Sequence, residues 1–216
     1  MTELDGPALE KVWTQIARVT PLYPDIRHSI AIAGKTRGMF GINAPHYLIF
    51  RSEEKDGAYE NIGFIGQQMD LFFSESGLGS CWLGMAKPEE KEESALPFVI
   101  SMAFGNSAEP LHRGLSEFKR KPLSEISEGT DDRLEVARLA PSGMNAQNWY
   151  FIAEGGKIHC YRKKPNLLLG LMTSRLGCID LGIALCHIMK ESDGFRFSKE
   201  SDAPARKGCV YMGTVI

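Results

Sequence analysis

Leu139-Ala140-Pro141-Ser142-Gly143-Met144-Asn145-Ala146-Gln147-Asn148-Trp149-Tyr150-Phe151 brings together a helix end, a short polar turn and an apolar run. The proline closes what precedes it, because the residue before a proline is driven out of the helical region. The turn offers small side chains, a hydroxyl, two amides and backbone N–H groups. That chemistry suits a flat, hydrogen-bonding ligand better than a core.

Outward from this stretch the chain repeats itself. Asp5-Gly6-Pro7 reads as a helix start with proline at the first helical position. Leu9, Val12, Trp13, Ile16 and Val19 recur at helical spacing and predict one buried face ending before Pro21. That helix finishes in Ala17-Arg18-Val19-Thr20-Pro21. A second one, predicted to be capped by Thr130 with Asp131-Asp132 in its first turn, finishes in Ala137-Arg138-Leu139-Ala140-Pro141. Asn61-Ile62-Gly63-Phe64-Ile65 matches Asp180-Leu181-Gly182-Ile183-Ala184 at almost the same offset, and each half ends in an apolar strand, Phe98–Phe104 and Cys209–Ile216. Matches at one offset and in one order argue for an internal duplication. The expected product is a single-chain pseudo-dimer: a first half over 1–105, a connecting segment over 106–130, and a second half over 131–216.

The remaining elements are simpler. Ile30–Ala33 and His46–Phe50 read as strands, the second rich in aromatic and β-branched residues. A helix is predicted over about 58 to 75. Ile62, Ile65, Met69, Phe72 and Phe73 form its buried face, and Gly63 and Gly66 are placed to let another backbone approach. Gly77 reads as the residue that closes it, followed by a glycine-rich loop to Gly84 and a charged patch from Lys87 to Glu93. Gly34–Gly41 reads as a basic loop carrying Lys35 and Arg37.

Composition narrows the function classes. The chain has 216 residues, is 43% hydrophobic and 24% charged, and carries a net charge of −2. It therefore offers no electrostatic case for nucleic acid or an anionic membrane surface. No apolar run approaches the roughly 20 residues needed to span a bilayer. The N-terminus lacks the basic-then-apolar pattern of a signal peptide. Five scattered cysteines without a C-x-x-C pair suit reduced thiols in a cytoplasmic protein. The histidines at 28, 46, 112, 159 and 187 have no ligand spacing, so no metal site is expected. Gly77-x-Gly79 follows a predicted helix instead of a strand, the wrong context for a dinucleotide fingerprint. Ser142 stands outside any G-x-S-x-G elbow, and Cys81 reads as a packing residue. Lys119-Arg120-Lys121 before Pro122 is either a solvated linker or a phosphate-holding turn.

Taken together, these motifs resemble the FMN-dependent nitroreductase family. Its A-P-S-x-x-N-x-Q-P-W-x-F signature is matched by Ala140–Phe151, its G-L-G-x-C-W-x-G by Gly77–Gly84, and its Arg-K-P-L by Arg120–Leu123. The A-P-S segment follows the G-L-G segment here, as in the subgroup of nitroreductases whose single chain resembles a fused dimer. The resemblance implies an α+β, three-layer, internally duplicated fold, and one FMN site with different walls from the two halves. Pro141, Ser142, Gly143 and Asn145 would line the flavin ring, and the backbone of Leu83 and Gly84 would face its N5 edge. Arg120, with Lys119, would hold the phosphate from the side opposite the turn, and Arg37 would reach the pyrimidine edge. The flavin carries the chemistry, so no catalytic acid or base is named. The implied reaction is a ping-pong transfer of electrons from NAD(P)H to nitroaromatics, quinones or similar planar acceptors. A monomeric pseudo-dimer is the default expectation, with further assembly left open.

Three departures stand out. Family members begin with an arginine segment that grips the phosphate, and residues 1–8 contain no basic residue. The start is therefore read as shortened or incomplete, or the phosphate is held by Arg120 and its neighbours alone. Asn148 replaces the signature proline, and Gly143 replaces a small polar residue. The alternative expectation is a non-catalytic relative that binds flavin weakly or not at all.

Overall fold

The computed structural model describes residues 1–38, 42–89, 94–111, 114–164 and 170–216. The last three residues of the basic loop, the acidic end of the charged patch and His112 lie outside the described residues. The chain divides into two compact units, Met1–Glu117 and Phe118–Ile216. The boundary falls within the segment expected to connect two halves.

The first unit opens with α1 (Gly6–Ile16), capped by Asp5, whose Oδ1 accepts Ala8 N–H at 2.9 Å. Its buried face is narrower than the sequence predicts. Val12 is buried, Trp13 is 49% exposed, and the helix ends at Ile16, short of Val19 and Pro21. Strands β1 (His28–Ala33), β2 (Thr36–Gly38) and β3 (His46–Ser52) follow, then α2 (Ala58–Glu75). Strands β4 (Leu78–Leu83), β5 (Ala86–Pro88) and β6 (Phe98–Asn106) complete the unit. An antiparallel sheet in the order β1-β3-β6-β4 forms its body, and β2 and β5 pair as a short separate ribbon.

Helix α2 buries Ile62, Ile65, Met69 and Phe73, as the spacing predicts. Phe73 stacks on Phe104 of β6 with ring centroids 4.7 Å apart. Gly77, at φ 72°, closes the helix. The segment after it is not a loop: Leu78–Leu83 is a strand paired along its length with β6. Its alternating Leu78, Ser80 and Trp82 suit a sheet edge, and the glycines do not prevent pairing. Gly66 meets a side chain, not a backbone. A Cβ there would lie 2.3 Å from Cη2 of Trp82.

The second unit contains α3 (Leu123–Ile126), β7 (Ser127–Glu128), α4 (Arg133–Leu139), β8 (Trp149–Glu154) and β9 (Lys157–Lys163). These are followed by α5 (Gly170–Lys190), β10 (Phe197–Ser198) and β11 (Cys209–Val215). Its sheet runs β10-β11-β9-β8-β7, with β7 parallel to β8 and the other pairs antiparallel. Thr130 does not cap α4. The N-cap is Asp132, and the preceding Asp131 instead takes Arg133, accepting from its backbone N–H at 3.0 Å and from its guanidinium at 2.9 and 2.7 Å. A bidentate ion pair outcompetes a single hydroxyl cap here.

Each unit has a helix, a pair of antiparallel strands, a long helix and two closing strands, of which the last inserts beside the second strand of the first pair. The resulting orders, β1-β3-β6-β4 and β8-β9-β11-β10, correspond strand for strand. One hydrogen bond also recurs. Tyr23 N–H, two residues after Pro21, donates to Asn61 Oδ1 at 3.0 Å, and Gly143 N–H, two residues after Pro141, donates to Asp180 Oδ1 at 2.9 Å.

Gly66→Ala drives a methyl into the Trp82 ring and is expected to cost about 1–3 kcal/mol, because overpacking a filled interior displaces side chains or backbone. Urea unfolding of the variant beside the parent checks this; an unchanged midpoint contradicts the packing at Gly66.

Candidate functional site

The Pro141–Gln147 turn forms because α4 has to stop. Ala140, ahead of Pro141, has ψ 141°, outside the helical region. A single 3-10 turn, Gly143–Asn145, follows. Met144, Asn145 and Gln147 have φ of 51°, 55° and 46°. Asparagine tolerates that region, whereas for methionine and glutamine it costs roughly 1–2 kcal/mol each. Such a conformation persists only where neighbouring contacts fix it, and here they do.

Six side chains hold the turn. Asp180 of α5 takes Gly143 N–H, and Ser142 Oγ accepts Gln147 N–H at 3.0 Å. Gln147, fully buried, accepts Lys121 N–H through Oε1 at 2.8 Å and donates through Nε2 to the Arg138 carbonyl at 3.2 Å. Arg120 donates from Nε to the Leu139 carbonyl at 3.2 Å and from its terminal nitrogen to Asn145 Oδ1 at 2.7 Å. Asn145 Nδ2 in turn donates to the Lys119 carbonyl at 2.6 Å, and Lys121 Nζ donates to the Ala146 carbonyl at 2.5 Å. The basic run thus wraps the turn within the second unit. Gly143, Met144 and Asn145 remain exposed, Met144 at 90%.

Two titratable groups of α5 are shifted, Asp180, which is buried, and His187, which is half-buried. Burial pushes the Asp180 carboxyl up to about 7, with the Gly143 N–H holding it back. Burial, aided by the positive charge of Arg120, pushes His187 down to about 4, so its imidazole is neutral at pH 7.

Of the residues expected from the sequence, Pro141, Ser142, Gly143, Asn145, Lys119 and Arg120 come together in the second unit. Arg120 therefore shares a unit with the turn. Leu83, Gly84 and Arg37 belong to the first unit. Leu83 ends β4, Gly84 is exposed in the connection to β5, and Arg37, exposed on β2, pairs in register with Lys87 of β5. Strand β4 is anchored from α2. Trp82 Nε1 donates to Gln67 Oε1 at 3.3 Å, Gln67 Nε2 to Asp70 at 2.9 Å, and Ser80 Oγ to Asp70 at 2.5 Å. Burial raises the Asp70 carboxyl and, with Asp70, the Cys81 thiol, which suits Cys81 to packing and not to attack. His46 and His159 are buried and bonded to Leu4 N–H and Thr214 Oγ1. No cluster of metal-ligating residues occurs among the described residues, and none of their helices is long and apolar enough to cross a membrane.

Sequence reasoning overlooked Asp180 as part of the site, and it gave Gln147 and Lys121 no part in bracing the turn. For Asp180 a signal was present: a lone carboxylate in the apolar run Ile179–Leu185. The roles of Gln147 and Lys121 depend on a chain reversal that sequence does not display.

The mixed α+β fold is that of nitroreductase-like proteins. Its structure is similar to a Thermotoga maritima crystal structure described as a "putative nitroreductase", with a TM-score of 0.61, 19% identity, and coverage of 100% of this chain and 86% of that one. A Clostridium difficile structure described as a nitroreductase family protein also matches, at TM-score 0.45 and 15% identity over 57% of this chain and 86% of that one, a likeness too slight to weigh. No curated protein matches in sequence. Residues 1–192 match the sequence family described as "Putative TM nitroreductase", and the chain belongs to that family. Membership points to an oxidoreductase.

Gln147→Ala leaves the Lys121 N–H and the Arg138 carbonyl without their partner. It is expected to lose about 2 kcal/mol or more of stability. Chemical denaturation measures the loss; a change under about 0.5 kcal/mol would mean that Gln147 does not brace the turn.

Proposed function

We propose that the protein is an FMN-dependent oxidoreductase that takes electrons from NAD(P)H and passes them to planar electrophiles such as nitroaromatics or quinones. One observation carries the reading: an exposed turn at Gly143–Asn145, left-handed at Met144 and Asn145, is bonded to the basic run by the Arg120 and Lys121 side chains and the Lys119 carbonyl. A flat anionic cofactor suits that donor set, since the turn presents backbone and small side chains while the guanidinium and ammonium groups supply positive charge. Pro141, Ser142, Gly143 and Asn145 would lie against the ring system, and Arg120 and Lys119 would take the phosphate. Leu83, Gly84 and Arg37 are proposed as first-unit contributors. When bound, the flavin accepts hydride and releases electrons in separate half-reactions. The chain's own part is to hold and orient it, so no residue is given an acid or base role.

We also propose that the two units descend from one duplicated ancestor and act as a cytoplasmic, monomeric pseudo-dimer. The matching strand orders and the recurring bond from the residue two beyond a proline support the duplication. A second reading, a nitroreductase-like protein that does not hold flavin, is favoured by one feature. Ser142 Oγ and both ends of the Asn145 amide are already engaged within the turn.

A visible spectrum separates the two. The purified protein, or the protein given FMN, is expected to turn yellow and to bleach with NADH or NADPH under anaerobic conditions; a preparation that stays colourless with added FMN overturns the enzyme reading. Arg120→Ala is expected to weaken FMN binding by about tenfold or more, losing a charge-assisted contact and the grip on Asn145. Fluorescence titration of FMN measures this, and unchanged affinity places the phosphate elsewhere.

A further inference from the structure

The two units make the same hydrogen bond with different groups. Asn61 of α2 meets the Tyr23 N–H with a neutral amide, and Asp180 of α5 meets the Gly143 N–H with a carboxyl. The ionisable group occurs in the unit whose turn carries three left-handed non-glycine residues. Asp180 is 4% exposed, and the carboxylate lies 3.8–3.9 Å from where a Gly143 side chain would begin. Asn61 demonstrates that the fold accepts an amide at the corresponding place, even with its Nδ2 buried and unpartnered.

We infer that Asp180 is the positioning residue of the Pro141–Asn145 turn, and that its ionisation strengthens the bond to Gly143 N–H and sets the turn in the form that receives its ligand. The identity of that ligand rests on the flavin reading. A carboxylate accepts a hydrogen bond more strongly than a neutral acid or amide, so the order of the turn follows the proton on Asp180.

Several of the neighbouring charges are engaged with one another. On α4, Arg133 pairs with Asp131 and Arg138 with Glu135. On β8 and β9, Glu154 faces His159 at 3.5 Å, Lys157 lies near Glu200 and Asp202, and Lys163 Nζ donates to the Glu125 carbonyl. Arg162 lays its chain against Gly177, and its buried Nε has no hydrogen-bond partner among the described residues. The turn itself carries no titratable side chain. On α5, Arg175 and Lys190 accompany the neutral His187, and Arg120 binds Asn145. Burial raises Asp180 and the Gly143 bond lowers it, with no charged group among the causes. A carboxyl raised by folding stays protonated in the native state while the unfolded chain has already ionised. Native stability therefore falls as pH rises from about 4 to about 7.

The test uses ligand-free and FMN-titrated protein side by side. In the ligand-free parent, the amide signal of Gly143 is expected to shift with a midpoint near pH 7, and Asp180→Asn is expected to abolish that titration while remaining folded. Asp180→Ala is expected to weaken FMN binding about tenfold, and Asp180→Asn, which keeps the bond but cannot ionise, is expected to bind with the weaker affinity of the protonated parent and without its pH dependence. A Gly143 amide that ignores pH in the parent overturns the inference, as does an alanine variant that binds FMN like the parent. If Asp180→Ala does not fold, the parent titration and the asparagine variant still decide. If the parent binds no FMN while Gly143 titrates, the flavin reading fails and the Asp180 link to the turn stands.

Discussion

A backbone N–H that is carried into a protein's interior has to be met, and in each unit the long helix meets it with a side-chain oxygen. Asn61 does so for Tyr23 and Asp180 for Gly143. These helices are also the apolar centres of their units: Ile62, Ile65 and Met69 on α2, and Leu181, Ala184 and Leu185 on α5, are fully buried. A polar group on such a face costs stability unless it is bonded. The core that fixes the helix therefore fixes the turn, and the turn's geometry is inherited from packing instead of from its own sequence.

That inheritance explains how left-handed methionine and glutamine persist. Their backbone cost of roughly 1–2 kcal/mol each is comparable to the worth of one or two hydrogen bonds. The turn gathers more than that from Asp180, Ser142, Gln147 and Arg120. The basic run has two duties in this arrangement. Arg120 and Lys121 donate hydrogen bonds to carbonyl and amide oxygens of the turn, and Lys119, exposed, keeps positive charge at the rim. Stability and ligand recognition draw on the same side chains, so substitutions here are expected to move both.

Much of the fold is legible from residue spacing. Helix α2 occupies the predicted range, and the four strands read from β-branched and aromatic runs are strands. What escaped the sequence shares one cause, the choice among competing partners. Thr130 is a good cap by residue type, yet Asp131 with Arg133 forms the stronger interaction. Gly77–Gly84 looks like a loop by its glycines, but the neighbouring β6 edge recruits it as a strand. Trp13 lies on an apolar stripe and is still half exposed. Within the candidate site, the motif identified the turn and the basic run separately. Their contact through Gln147, Asn145 and Arg120 depends on a fold-back between residues some 25 positions apart, which no local pattern encodes.

The tryptophans report on this architecture in a way their packing alone does not announce. Trp13 and Trp82 belong to the first unit, one half exposed and the other laid over Gly66; Trp149, wholly buried at the start of β8, is the single tryptophan of the second. Its indole nitrogen has no partner among the described residues, so it sits in an apolar setting that gives blue-shifted emission. The molecule thus carries its own optical label for each unit. Whether they open together or one ahead of the other becomes a question of colour.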